Sequence, residues 1–147
     1  MKISTRGRYA IRILLDIAAN QGDGHVIMKD IVRRQQISKK YAEQIAMQLT
    51  QAGLLTASRG PRGGYRLVPP AGEVTVLQVV ELMEGSLAPV QCLETAANRC
   101  ERRSFCMTLP LWVGLGKVVR EYLATVTLQS LIDQAPQQPA GSEELLL

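Results

Sequence analysis

Cys92, Cys100 and Cys106 fall in a C-x7-C-x5-C pattern and are the 3 cysteines of the chain. Their polar neighbours include Glu94, Asn98, Arg99, Glu101, Arg102 and Arg103. A cysteine often serves as a small buried hydrophobe, but three thiols so close in polar surroundings point to ligand or redox chemistry. Thiolates hold iron-sulfur clusters and tetrahedral zinc alike, and adjacent arginines would lower thiol pKa and offset the negative charge of an assembled site. A cluster commonly takes four ligands. Glu94, Glu101, a small exogenous ligand or an open metal position are the alternatives for the fourth place. The sole histidine, His25, lies in the distant basic half and reads as a surface residue.

The second chemistry is nucleic-acid contact. Residues 1–69 hold 12 Lys and Arg against 4 Asp and Glu, whereas residues 70–147 hold 5 against 9. Such asymmetry suggests a nucleic-acid surface on the first half, with a merely solvated basic face as the plainer alternative. Arg59, Arg62 and Arg66 surround Gly60, Gly63 and Gly64 in a stretch suited to a tight turn beside a duplex. Tyr65 is expected to pack under this turn rather than stack on a base. Upstream, Ser38, Lys39, Lys40, Glu43 and Gln44 combine groups able to read cytosine, adenine or guanine edges with groups that anchor phosphate. Arg6, Arg8 and Arg12 would add phosphate contacts.

The elements that must position these residues follow from periodicity. Ile11, Leu14, Leu15, Ala18 and Ala19 recur at helical spacing after Ser4 or Thr5 as N-cap. Residues 27–34 read as a short helix with Ile27 and Ile31 inward and Met28 a further inward candidate. Ser38 caps a third helix lined by Tyr41, Ile45 and Leu49 and closed by Gly53. Residues 54–58 and 64–68 read as a hairpin, and Thr75 caps a helix that ends at Gly85. The segment from Gly85 to Cys106 has no sustained period. A long helix is expected from Thr108 to Asp133, with Trp112, Leu115, Val119, Tyr122 and Val126 on one stripe and Leu111, Val118, Leu123 and Ile132 widening it. Gly114 and Gly116 inside it suggest close approach of another backbone.

The fold class is thus mainly α. Residues 1–69 form a winged helix-turn-helix DNA-binding domain, 70–107 a linking helix and cysteine loop, 108–133 a dimerisation helix, and 134–147 a flexible tail. An enzyme is not expected, since CxxC, a cysteine with a histidine base and a phosphate-binding glycine loop are all lacking. The absence of a signal peptide or a long apolar run leads to a cytoplasmic expectation with no membrane partner.

Taken together, STRGRYAIRILLDIA, ISKKYAEQI, SRGPRGGYRL and the three cysteines before a long helix resemble the Rrf2 family of bacterial winged-helix transcription regulators. The likeness is to its iron-sulfur cluster regulators of the IscR, NsrR and RirA types and runs to about residue 133. It implies a homodimer, held by the long helix, that binds a palindromic operator in double-stranded DNA. It also implies that Cys92, Cys100 and Cys106 hold a cluster, 2Fe-2S or 4Fe-4S, responding to iron-sulfur status, iron, nitric oxide or redox state. Glu43 and Gln44 match base-reading positions of the family, and Arg59 its minor-groove arginine. Some relatives take a fourth ligand from a histidine three residues after the last cysteine, or from an acid near the start of the partner's first helix. Leu109 and Arg8 stand at those places, so neither route carries over. The gap between Cys92 and Cys100 resembles the RirA type. A transcription regulator whose cysteines act as redox thiols without a cluster, or bind zinc, is the alternative.

Overall fold

The computed structural model describes residues 1–136. The tail expected from residue 134 onward therefore lies mostly outside the described residues.

Three helices open the chain: α1 (Thr5–Asn20), α2 (Met28–Gln35) and α3 (Lys39–Gln51). Ser4 caps α1, its Oγ accepting from Gly7 N at 3.1 Å, and Ser38 caps α3 by accepting from Tyr41 N at 3.3 Å. These bonds satisfy helix donors that have no partner inside the helix. Strands β1 (Leu55–Ser58) and β2 (Gly64–Leu67) pair antiparallel, with Leu55 opposite Leu67 and Ser58 opposite Gly64. Gly64 has φ +134°, and a Cβ there would stand 2.4 Å from Val26 O, so only glycine fits. That contact lets the wing dock: Val26 and Tyr65 exchange both backbone hydrogen bonds at 2.8 Å. Tyr65 is half-buried against the core, as the sequence predicts.

Helix α4 (Val76–Glu84) begins with a capping box between Thr75 and Gln78 and ends at Gly85. An irregular segment follows, with one short 3-10 turn at Gln91–Leu93, before α5 (Leu109–Thr125) and α6 (Leu128–Asp133). The single helix expected over 108–133 is thus broken at Val126. Thr125, Val126 and Thr127 are consecutive β-branched residues, which helices disfavour, and Thr127 makes a new capping box with Ser130. The break is fixed by neighbours, because Val76 N donates to Val126 O at 2.8 Å and Leu128 N to Val74 O at 3.0 Å.

One core contains Ile13, Leu14, Ile17, Ile31, Ile45, Leu49 and Leu55 together with Val74, Val79 and Leu128. The core therefore reaches past residue 69 to take in α4 and α6. Ile27, expected inward, is 42% exposed, while Met28 and Ile31 turn inside. Asp16 is the buried charged residue in this core, and Arg34 holds its two carboxylate oxygens at 2.9 and 2.7 Å while Gln35 Nε2 donates at 2.9 Å. The Asp16 hydrogen bonds raise the Arg34 pKa above its ordinary value against the lowering effect of burial. Among the described residues no helix is long and apolar enough to cross a membrane.

Candidate nucleic-acid interface and cysteine loop

Burial of Ala42, Ile45, Ala46 and Leu49 fixes which side of α3 faces out. Ser38, Lys39, Lys40, Glu43 and Gln44 are all exposed on that outer side. Lys39 Nζ lies 3.9 Å from Glu43 Oε1, an exposed pairing weak enough to be exchanged for another partner. Met47, 58% exposed, extends the same face. Hydrophobic periodicity conceals it, because a methionine in a helix reads as core.

The rest of α3 is braced. Tyr41 meets Tyr9 edge-to-face with ring centres 5.8 Å apart, and the Arg12 guanidinium lies 5.0 Å from the Tyr9 ring centre. Arg12 also donates to the side-chain and backbone oxygens of Gln35, whose amide nitrogen donates to Asp16. A connected set from α1 and α2 therefore fixes the start of the outward helix. No local pattern in the sequence marks it, because Asp16 lies off the apolar stripe of the first helix and reads as a surface charge.

The wing tip holds Arg59 and Arg62, both exposed. Arg66 departs from the expected trio, since its Nη1 donates to Gly22 O at 2.9 Å and Gly24 O at 2.8 Å. It ties the wing to the turn after α1 instead of standing free. Burial, then the charge of Glu43, raises the Tyr65 pKa above its ordinary value. His25 sits half-buried in that same turn region, beside Val26.

The cysteine loop leads from α4 to α5. All three cysteines are free and partly exposed. Cys92 and Cys100 line one cavity of about 340 Å³ with Arg99, while Cys106 is not among its lining residues. Cys106 Sγ lies 3.4 Å from Thr108 Oγ1. Thr108's hydroxyl and backbone, with a further contribution from Arg102, lower the Cys106 pKa below its ordinary range. Among the described residues no three His, Cys, Asp or Glu side chains are gathered as a metal centre would need.

Helix α5 has no buried residue. The broad stripe predicted for it separates into two faces. Trp112, Gly116, Val119 and Leu123 are partly covered, with Pro89 Cδ 3.3 Å from where a Gly116 Cβ would be. Leu111, Leu115, Val118 and Tyr122 are exposed. Gly116 is met by the Pro89 ring rather than by a second backbone, and Gly114 has nothing within 4 Å, so among the described residues no backbone makes the close approach expected at either glycine.

The chain matches the family model Rrf2, described as an iron-dependent transcriptional regulator, over residues 3–134. The chain belongs to the Rrf2 family. Protein rrf2 of Nitratidesulfovibrio vulgaris is 40% identical over 142 residues, covering 97% of this chain and 94% of the relative. The regulator IscR of Photobacterium profundum is 35% identical over 148 residues, covering 100% of this chain and 85% of the relative. Among solved structures, CymR, the global cysteine regulator of B. subtilis, aligns with a TM-score of 0.77 at 30% identity, covering 92% and 99% of the two chains. T. potens IscR aligns with a TM-score of 0.76 at 30% identity, covering 98% and 96%. The winged-helix fold of the Rrf2 family and the role of transcriptional regulator follow for this chain.

Proposed function

We propose that this Rrf2-family regulator binds a palindromic DNA operator as a homodimer and senses iron-sulfur status, iron, nitric oxide or redox state through Cys92, Cys100 and Cys106. One observation carries the reading: three accessible thiols stand on the irregular segment that joins the DNA-reading core to an exposed apolar helix. In this reading Lys39, Lys40, Glu43 and Gln44 enter the major groove, with Ser38 holding the helix start. Arg59 and Arg62 reach the minor groove from the wing. The exposed side of α5, from Leu111 to Tyr122, supplies the apolar surface for a second copy. Cytoplasmic action follows from this role.

The donor chemistry of the loop fits an iron-sulfur cluster of 2Fe-2S or 4Fe-4S type. The thiols are of the required kind, and Arg99, Arg102 and Arg103 offset negative charge. The backbone between Cys100 and Cys106 is held by turn hydrogen bonds, Arg103 N to Cys100 O and Phe105 N to Arg102 O, each 3.1 Å. Bringing Cys106 toward the other two therefore breaks no described helix or sheet. When bound, the cluster would supply electron exchange and reactivity toward oxidants and nitric oxide. Anaerobic purification tests the reading. The expected result is a brown protein containing iron and sulfide, whose operator affinity differs between loaded and metal-free forms and whose loading fails in Cys100→Ser. A colourless, iron-free protein with one operator affinity before and after reconstitution overturns it.

The second reading is a metal-free thiol regulator, favoured by the ungathered cysteines, the lowered Cys106 pKa and the likeness to CymR. Zinc is its metal-bound variant. Thiol titration of fresh anaerobic protein separates them, since free thiols react quickly and metal-bound ones slowly, and absorption separates colourless zinc from iron.

A further inference from the structure

Gly7 sits in the first turn of α1, where an alanine would favour the helix. The structure gives a reason for the glycine. A Cβ at this position would stand 2.5 Å from Glu84 Oε1, so the missing side chain makes room for a carboxylate from α4. That oxygen accepts from Ser4 N at 2.9 Å and from Ser4 Oγ at 2.5 Å. Ser4 Oγ in turn accepts from Gly7 N. A continuous chain of donors therefore runs from the first turn of α1 into one carboxylate, which also lies favourably at the positive end of the helix dipole.

Glu84 is the last residue of α4, and Gly85, with φ +79°, turns the backbone into the cysteine loop. The same arm that carries Ser4 reaches the loop again, because Met1 N donates to Pro89 O at 3.4 Å. Pro89 packs on α5 at Gly116. Two neighbouring features extend the junction. Arg120 of α5 pairs with Glu81, and Gln48 Nε2 of α3 donates to Leu82 O at 3.5 Å. The final turn of α4 thus touches the start of α1, the body of α3 and the long helix α5, at the point where the loop begins.

We propose that Glu84 is the positioning residue through which the state of the cysteine loop reaches the DNA-reading helices, by clasping Ser4 and Gly7 at the start of α1. The inference rests on the proposed sensing role of that loop. A displacement of the loop at Gly85 moves the carboxylate, and with it the cap of the helix that braces α3 through Tyr9, Arg12 and Tyr41.

The test uses the full chain. The thiols are modified with N-ethylmaleimide, and hydrogen–deuterium exchange of the first-turn amides of α1 is followed before and after. Operator affinity is measured in parallel, before and after anaerobic reconstitution with iron and sulfide. In the unaltered protein, modification changes the exchange of residues 5–8. In Glu84→Ala and Gly7→Ala, which break the clasp from opposite sides, this response is lost while circular dichroism and core exchange remain those of a folded protein. Glu84→Gln, whose amide oxygen can still accept from Ser4, retains the response. An unchanged response in both clasp-breaking variants, or none in the unaltered protein, overturns the proposal. Operator affinity insensitive to reconstitution defeats the sensing role separately, whatever the exchange shows.

Discussion

Cys106 is set apart by its neighbour Thr108, whose hydroxyl stabilises the thiolate relative to the thiol. In metal-free protein, alkylation of Cys106 by iodoacetamide should accelerate at a lower pH than alkylation of an ordinary cysteine, because the reactive thiolate forms earlier. Thr108→Val should move that acceleration to higher pH. Peptide mass spectrometry across roughly pH 6 to 9 checks both. A second residue prediction concerns the Asp16 and Arg34 side chains, 1% and 32% exposed respectively. Arg34→Ala strands a buried carboxylate and should cost about 3 kcal/mol in urea unfolding. Asp16→Asn leaves a guanidinium that water can reach and should cost nearer 1 kcal/mol. The reverse order would mean that the carboxylate is solvated after the arginine is removed. At this scale the sequence was informative about which residue types are available for chemistry and less so about where each side chain stands. Cys92, Cys100 and Cys106 were legible by type and spacing. The tether of Arg66 depends on the carbonyls of Gly22 and Gly24, 44 and 42 positions away, which no local pattern records.

Element by element, helix existence was legible because cap residues and apolar spacing act within a few positions. Ser38 and Thr75 cap the helices they were expected to cap, and of the two candidates for α1 it is Ser4 rather than Thr5. The break after α5 was not legible, since Val126 continues the apolar stripe and the β-branched run Thr125–Thr127 disfavours a helix without by itself ending one. What decides it is the pairing of residues 126–128 with Val74 and Val76, through which Leu128 enters the core with no exposed surface. Leu128→Ala should therefore destabilise the reading core by about 2–5 kcal/mol, measured by chemical denaturation. A cost near zero would detach α6 from that core. Gly7→Ala belongs at the same scale. Helix propensity alone predicts a gain of about 1 kcal/mol, whereas the crowding against Glu84 predicts no gain in thermal unfolding.

Over the whole molecule, the basic excess of residues 1–69 is exposed on α1, α2, α3 and the wing, while α5 offers an apolar face on another element. In the proposed dimer, with one wing per half-site, the arginine contribution is countable. Arg59→Ala should flatten the logarithmic dependence of operator affinity on salt by about 2, roughly one per subunit. Glu43→Ala should leave that slope nearly unchanged and relax base preference, at about 1–3 kcal/mol of discrimination per half-site. Fluorescence anisotropy over a salt series, with operator and substituted duplexes, distinguishes the two. Equal slopes for Arg59→Ala and the unaltered protein would remove Arg59 from the phosphate contacts.

The sequence by itself determined the helices as far as α4, the start of α5, the hairpin, the family and the residue types available to DNA and to a thiol site, because each arises from short-range periodicity, capping and composition. Tertiary structure alone decided that α6 returns to the core, that Arg66 ties the wing, that Cys106 stands apart from Cys92 and Cys100, and that Gly7 admits Glu84. These outcomes depend on groups distant along the chain meeting within a few ångströms. Where one backbone path brings a carbonyl or carboxylate beside another segment is set by the packed core as a whole.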